Sequence, residues 1–300
     1  MRLQNVVLLK SGENLNKNIF LVHAGNGEIA NYIRLSSLMP NDVNCWGIRL
    51  AYKEYSPFNF TIERLAEIYL RQIKTIQPRG PYFLIGWCYG GMRTYEIARQ
   101  LEEAGDEVKL LGLINTNSPI KTKEKKVNMV EKYSLLKSYD DHIEKFSCDS
   151  EKELIEKWLT KASLKWDREC SLEDIWINFI EEYENTNLEQ KIISIISEDL
   201  PKDRIDAIPY FSDIKLRKLI YYLSILRSDS NMQVLYKPTC LHSTKLCYFV
   251  AEESPISDKN NWSQYASKVE FINIMGNHFS IFEENNVNDL AQKIRKYMEE

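Results

Sequence analysis

A basic excess, metal-spaced cysteines, long apolar runs and repeated units are all missing from this 300-residue chain, and each absence removes a class of function. Lys and Arg number 39 against 43 Asp and Glu, a formal net charge of -4. A nucleic-acid partner calls for a basic face, so no such partner is expected. The six cysteines, Cys45, Cys88, Cys148, Cys170, Cys240 and Cys247, form no C-x-x-C pair and no His-Cys cluster at metal spacing. That pattern points to reduced thiols rather than a disulfide frame, and to no metal site. No stretch approaches the roughly 18 uninterrupted apolar residues of a membrane span. Met1 to Lys10 has too short an apolar run, and no small-residue cleavage pattern, for a signal peptide. No membrane partner and a cytoplasmic location are therefore the default expectations. Internal repeats and low-complexity segments are also lacking, which excludes solenoids and arrays.

What is present is a soluble globular composition, 44% hydrophobic and 27% charged, at a length that allows one large domain or two ordinary ones. Ile19-Phe20-Leu21-Val22-His23 is a continuous apolar run entering Ala24-Gly25-Asn26-Gly27, which reads as a buried parallel strand ending in a glycine loop. A helix is expected over residues 29–38 and a strand over 43–48. From Thr61 to Gln77, apolar Ile62, Leu65, Ala66, Tyr69, Ile73 and Ile76 keep helical spacing, with Thr61 as N-cap and Pro78 closing the helix. Tyr82 to Ile85 is the next strand. Met92, Tyr95, Ala98 and Leu101 mark a helix that Gly105 ends, and Val108 to Ile114 is another strand. Alternating strands and helices with short loops imply an α/β fold, a mostly parallel, doubly wound sheet. Ligands of such sheets gather at the carboxyl ends of the strands, where Gly25, Cys88 and Asn115 fall.

The pattern changes at Lys121-Thr122-Lys123-Glu124-Lys125-Lys126, which reads as a solvated connector. Helical periodicity then dominates to about Leu235, with apolar groups around Trp158, around Trp176 and Phe179, and around Leu219. Residues 121–236 are read as a helical lid insertion within one domain spanning 1–300, its Trp and Tyr residues mainly helix-packing core. Strands resume at Leu246 to Ala251 and Val269 to Met275, and a last helix carries Val287, Leu290, Ala291, Ile294, Tyr297 and Met298 on one face.

The chemistry centres on Gly86-Trp87-Cys88-Tyr89-Gly90-Gly91. A strand running through G-x-C-x-G-G into a helix resembles the nucleophile elbow of the α/β hydrolases, with cysteine where serine is usual. Gly86 and Gly90 permit a sharp turn, and the N–H of Tyr89 at the helix N-terminus faces the place where an oxyanion would form. The bland alternative is a glycine-rich turn with an inert cysteine. A cysteine nucleophile needs a base. His278, in Gly276-Asn277-His278-Phe279-Ser280 after the last strand, suits that role best. His23 reads as a loop-stabilising residue, and His142 and His242 as surface or packing residues. A third group must fix the base's tautomer. Asn115 can accept the imidazole N–H through its side-chain oxygen, as in papain-like Cys-His-Asn arrangements. Glu252, Glu253 and Asp258 are the alternative acids, since they follow the strand at 246–251.

Taken together, Asn18 to Gly27, Gln77 to Gly91, Tyr95-Glu96-Ile97-Ala98 and Gly276 to Ser280 resemble the thioesterase domains of nonribosomal peptide and polyketide synthetases. The likeness is close over residues 5–120 and looser over 240–298, and the insertion matches only in position, where that family carries its variable lid. It implies an α/β-hydrolase fold, no cofactor of the chain's own, and a substrate carried on the phosphopantetheine of an acyl or peptidyl carrier protein. It also implies that Cys88 is the acyl acceptor, His278 the base, Asn115 the residue in the family aspartate's place, and the N–H groups of Gly25 and Tyr89 the oxyanion hole. Two departures stand out: cysteine replaces serine at 88 and asparagine replaces aspartate at 115. A thioester intermediate drives attack by amines or weak internal nucleophiles better than an ester, so cyclisation or aminolysis is expected over simple hydrolysis. The rival functions are a free-standing editing thioesterase and a non-catalytic binding module. No adenylation motif and no carrier-type serine motif is present in the chain.

Overall fold

The computed structural model describes residues 5–50, 61–119, 148–166, 175–200, 205, 208, 211–220, 222–223, 236–253 and 262–299. The chain divides into two compact units, 1–120 with 235–300, and 121–234. The division places Tyr236 in the first unit.

The first unit is built on a seven-stranded sheet. In chain order its elements are β1 (Val6–Lys10), β2 (Asn18–Val22), α1 (Tyr32–Ser37), β3 (Asn44–Ile48), α2 (Ile62–Ile76), β4 (Tyr82–Trp87), α3 (Tyr89–Glu103) and β5 (Val108–Ile114), then β6 (Leu241–Ala251), β7 (Ala266–Ile274) and a C-terminal helix, Glu284–Glu299. The strand order is β1-β3-β2-β4-β5-β6-β7. Among the described strands only β1 runs antiparallel to its neighbour, and the other pairs are parallel. From β2 the chain first adds β3 on one side and then β4 on the other, so β2 and β4 flank the point where the strand order reverses. Their carboxyl ends form the crevice in which open α/β sheets bind ligands.

Parallel strands are covered on both faces, which is why β2 and β4 are buried along their whole length. Alternate residues Ile19, Leu21, Phe83, Ile85, Trp87, Cys247 and Phe249 share a core with Tyr32 and Leu35 of α1 and with Val287, Leu290 and Ile294 of the C-terminal helix. The α2 helix starts where Thr61 caps it, its side chain accepting the Arg64 N–H at 3.2 Å. Gly105, at φ 79°, follows the end of α3 as a left-handed C′ residue.

Two elements depart from the sequence reading. β1 was not anticipated, because a five-residue edge strand carries little periodic signal. β6 begins at Leu241, five residues early. Its start, His242, Ser243 and Thr244, is polar because Glu102 of α3 accepts their backbone N–H groups, at 2.7 Å from His242 and 2.8 Å from Thr244. Burial alone would raise the Glu102 pKa, but these backbone bonds and the Ser243 and Thr244 hydroxyls outweigh it and bring it down to about 2. A folded pKa below the unfolded value of about 4.5 gives stability above that pH which is lost as pH falls toward 2. Glu102→Ala is expected to cost about 1–2 kcal/mol at pH 7, allowing for its partial exposure. An unchanged denaturation midpoint would contradict this.

The lead-in to β4 is also braced. The Gln77 side chain donates to the Pro81 carbonyl at 2.8 Å and accepts from Asn18 Nδ2 at 3.1 Å, while the Tyr82 hydroxyl donates to the Gln77 carbonyl at 2.9 Å. The Q-P-x-G-P-Y run therefore ties the start of β4 to that of β2. Tyr95 donates its hydroxyl to the Thr239 carbonyl at 2.8 Å, and buried Glu96 accepts from the Tyr236 hydroxyl and Arg99.

Among the described residues of the second unit, regular structure is helical: α4 (Cys148–Lys161), α5 (Ile175–Tyr183), α6 (Glu189–Glu198) and a short 3-10 turn, Phe211–Asp213. Trp158, Trp176, Phe179 and Tyr183 are buried, with successive rings 5.5–6.0 Å apart, Trp176 and Phe179 edge to face and the other pairs tilted. Buried Glu189 accepts the N–H groups of Asn185 and Leu216. The Lys121 to Lys126 connector lies outside the described residues.

Candidate active site

The elbow is where the β4 ladder hands over to α3. Cys88 takes φ 56° and ψ -131°, a conformation a residue with a Cβ rarely adopts. Its N–H donates to the Ile114 carbonyl at 3.1 Å, so pairing with β5 continues up to the turn. The two elbow glycines serve close approach rather than unusual dihedrals. A Cβ on Gly86 would collide with Thr94 Oγ1 and the Gly90 carbonyl, and one on Gly90 with the carbonyls of Val22 and His23. The bend is thus clamped between β2 and α3, and the strain falls on Cys88. Cys88 is a half-buried thiol outside any disulfide. Gly25 is buried in the turn following β2, the strand end against which Gly90 lies, and Tyr89 is the first residue of α3, where backbone N–H groups are unsatisfied by the helix itself.

Beneath the elbow sits Tyr32, which sequence reasoning passed over as an ordinary helix residue. Its hydroxyl donates to the Val22 carbonyl at 2.8 Å and accepts the Trp87 N–H at 2.9 Å. The β2–β4 register ends at Val22 opposite Gly86, so this hydroxyl bridges the two strands just where they part. Burial holds the phenol well above its ordinary pKa, and it remains a donor. Tyr32→Phe leaves a buried carbonyl and a buried N–H without that partner. The expected result is a kcat lowered about tenfold with KM near wild type, because the elbow and the Gly25 turn lose their spacer. Unchanged kcat with only a lower Tm would show that the hydroxyl serves stability alone.

His278 follows β7 in a loop held by its own side chains. Asn277 Oδ1 accepts from the N–H groups of Phe279 and Ser280 at 3.0 Å each, and Asn286 donates to the Ser280 carbonyl. Trp87 anchors it, donating Nε1–H to the His278 carbonyl at 3.1 Å and lying 5.2 Å from the imidazole, ring to ring. The residue before the nucleophile thus seats the histidine loop, a role with no local sequence signal. Burial pushes the His278 pKa down to about 4.

Asn115 ends β5 with φ 43°, a left-handed conformation that asparagine tolerates better than most residues. Its backbone N–H continues the ladder to Phe249 at 2.8 Å. Its side-chain Nδ2 lies 2.9 Å from His278 Nδ1, and its Oδ1 accepts the buried Ala251 N–H at 3.4 Å. The sequence reading placed the amide oxygen on the imidazole; the structure places the nitrogen there. Glu252 and Glu253 are exposed in the turn after β6 and use their backbone N–H groups on Ile274 and Gly276. Asp258 and His142 lie outside the described residues. His23 is buried, bonding through Nδ1 to the Ala24 carbonyl and through Nε2 to the Tyr69 hydroxyl, both at 2.6 Å. Burial, and then the Arg93 charge, hold it neutral. Arg93, buried on α3, adds positive charge to the helix N-terminus side of the elbow. No group of three or more His, Cys, Asp or Glu side chains among the described residues could hold a metal. No described helix is long and apolar enough to cross a membrane.

A parallel sheet with a single antiparallel edge strand, a strained cysteine elbow at the strand-order reversal and a histidine beyond the last strand define an α/β-hydrolase fold. Residues 17–134 match the thioesterase-domain family. An atromentin synthetase of Paxillus involutus is 38% identical over 98 residues, covering 32% of this chain and 10% of that one. An inactive atromentin synthetase of the same organism is 37% identical over 97 residues, with the same coverage. The chain thus matches about a tenth of the length of these curated relatives. The NocB thioesterase domain, in covalent complex with a fluorophosphonate nocardicin G analogue, superposes with a TM-score of 0.57 at 18% identity, over 98% of this chain and 99% of that one. Since an inactive relative is about as similar as its namesake, activity must be argued from the site.

Proposed function

We propose that this chain is a thioesterase that takes an acyl or peptidyl group from a carrier-protein phosphopantetheine thioester onto Cys88 and releases it to an amine, an internal nucleophile or water. The observation that carries this reading is the meeting of Asn115 and His278, 163 positions apart, beside a strained cysteine elbow. A merely structural glycine turn has no need of a seated histidine.

In this reading His278 takes the Cys88 proton at Nε2, and the thiolate attacks the substrate thioester carbonyl. The N–H groups of Gly25 and Tyr89 hold the resulting oxyanion. Its collapse expels the pantetheine sulfur, which recovers the proton from the imidazolium. The acyl group remains a thioester on Cys88, still activated toward an amine. A neutral Asn115 stabilises imidazolium less than a carboxylate would, and a thiol needs a weaker base than an alcohol. Chain release by aminolysis or cyclisation is therefore favoured over hydrolysis. Residues 121–236 would serve as the lid, and a carrier protein would be the partner.

The test is incubation with a synthetic acyl-pantetheine thioester, with and without an added amine. Intact-protein mass spectrometry should show one acyl adduct mapping to Cys88, and the amide should exceed the free acid when amine is present. Free acid alone would remove the preference for aminolysis and favour an editing role. Absence of any adduct and any turnover would favour a binding module.

A further inference from the structure

We propose that Trp262 is a positioning residue that fixes the end of β5 against the helix of the nucleophile, so that Asn115 meets His278 beside Cys88. The inference rests on the reading of Cys88 and His278 as nucleophile and base. The Asn115 N–H reaches the Phe249 carbonyl at 2.8 Å, and at the next residue a side chain takes over from the ladder. Trp262 Nε1–H donates to the Thr116 carbonyl at 2.9 Å. The Thr116 side chain meanwhile lies against Gly91, so closely that a Cβ there would come within 2.0 Å of Thr116 Oγ1. Gly91 belongs to the first turn of α3, just beyond Cys88. Thr116 is thus held between the indole and the nucleophile helix, next in the chain to Asn115.

The indole takes its own position from α3. It is fully buried and packs on the Tyr95 ring at 5.3 Å and the Tyr265 ring at 6.0 Å. Tyr95 stands about two turns after Cys88 on α3. Its hydroxyl is 2.5 Å from the Tyr265 carbonyl, which also accepts the Leu241 N–H at 2.7 Å. The short turn Trp262–Gln264 is therefore pinned to α3 and to β6, and the indole sets the spacing between α3 and the end of β5. That spacing matters because the Asn115 side chain is 2.9 Å from His278 Nδ1, and a hydrogen bond lengthened by about half an ångström is largely lost. Removing the Nε1–H releases the Thr116 carbonyl one residue from Asn115, and the contact with His278 loosens.

The test compares variants by turnover of an acyl-pantetheine thioester and, with no acyl substrate present, by alkylation of Cys88 with iodoacetamide at pH 7. Trp262→Phe keeps a ring between Tyr95 and Tyr265 but has no N–H. Its kcat and its alkylation rate should both fall about tenfold, with KM near wild type. Glu102→Ala, which loses a tie between α3 and β6 far along the helix from Cys88, should lower Tm and leave kcat unchanged. Replacing Trp262 with benzothienylalanine, which has the indole's shape and a sulfur in place of the N–H, should repeat the Trp262→Phe result, and it decides the matter if Trp262→Phe fails to fold. Unchanged kcat and alkylation in a folded variant of either kind would overturn the proposal, as would a loss of kcat in Glu102→Ala as large as that in Trp262→Phe. His278→Ala tests the underlying reading separately. If it is alkylated and turns over at wild-type rates, His278 is not the base, and the positioning role falls with that reading whatever the Trp262 variants show.

Discussion

Cys88→Ala is expected to abolish the acyl adduct and to lower turnover of an acyl-pantetheine thioester by on the order of a thousandfold or more, as loss of a covalent nucleophile does. The fold should survive, because alanine fits the space and only removes a half-buried thiol. The serine variant is the more informative one. An alcohol holds its proton far more tightly than a thiol, and Asn115 gives the imidazolium no countercharge. Cys88→Ser should therefore lose nearly as much activity as Cys88→Ala. Restoring both residues, Cys88→Ser with Asn115→Asp, should recover much of it, with strong coupling in a double-mutant cycle. Equal loss in the single and double variants would show that positions 88 and 115 act independently. Retained turnover in Cys88→Ala would move the nucleophile elsewhere.

The second large effect falls on His278. Replacing it with alanine should slow acylation of Cys88 by about 10²–10⁴-fold, the range for a positioned general base. The pH dependence carries the sharper sign. Burial lowers the folded pKa from 6.5 to about 4, so the neutral base persists to well below pH 6 and the acid limb of acylation should lie near pH 4. The unfolded chain takes up this proton near 6.5 while the folded chain does not. Folding stability should thus fall as pH drops from 6.5 toward 4, and that part of the slope should vanish in His278→Ala. An acid limb near 6.5 would mean that the imidazole is solvated in the working protein. The alanine variant also uncovers Trp87, whose ring packs on the imidazole, so a modest loss of Tm is expected beside the loss of rate.

The sheet was legible in the sequence because buried parallel strands are continuous apolar runs, as at Ile19 to Val22 and Tyr82 to Ile85, and because the helices between them keep a 3.6-residue period. Edges were harder to read. β1 is short, and the start of β6 is polar because its partner is the Glu102 carboxylate rather than a hydrophobic core. The elbow was legible from glycine spacing, although the reason differs. Gly86 and Gly90 are required by the approach of Thr94 and of the β2 carbonyls, while Cys88 itself takes the strained dihedral. Tyr32 and Trp87 were not legible as site residues. Each acts on backbone groups distant in sequence, and neither a phenol nor an indole carries a local signal for such a task.

The sequence by itself determined the order of strands and helices, the cysteine at the turn, and the histidine and asparagine at strand ends, because hydrophobic period and glycine placement are local properties. Only the tertiary structure decided which strand ends are neighbours, and so that Asn115 meets His278 across 163 positions. It also decided how the asparagine side chain is turned. There Oδ1 accepts the Ala251 N–H at 3.4 Å and Nδ2 lies 2.9 Å from His278 Nδ1. An amide has one face that accepts and one that donates, and the fold supplies a partner for each.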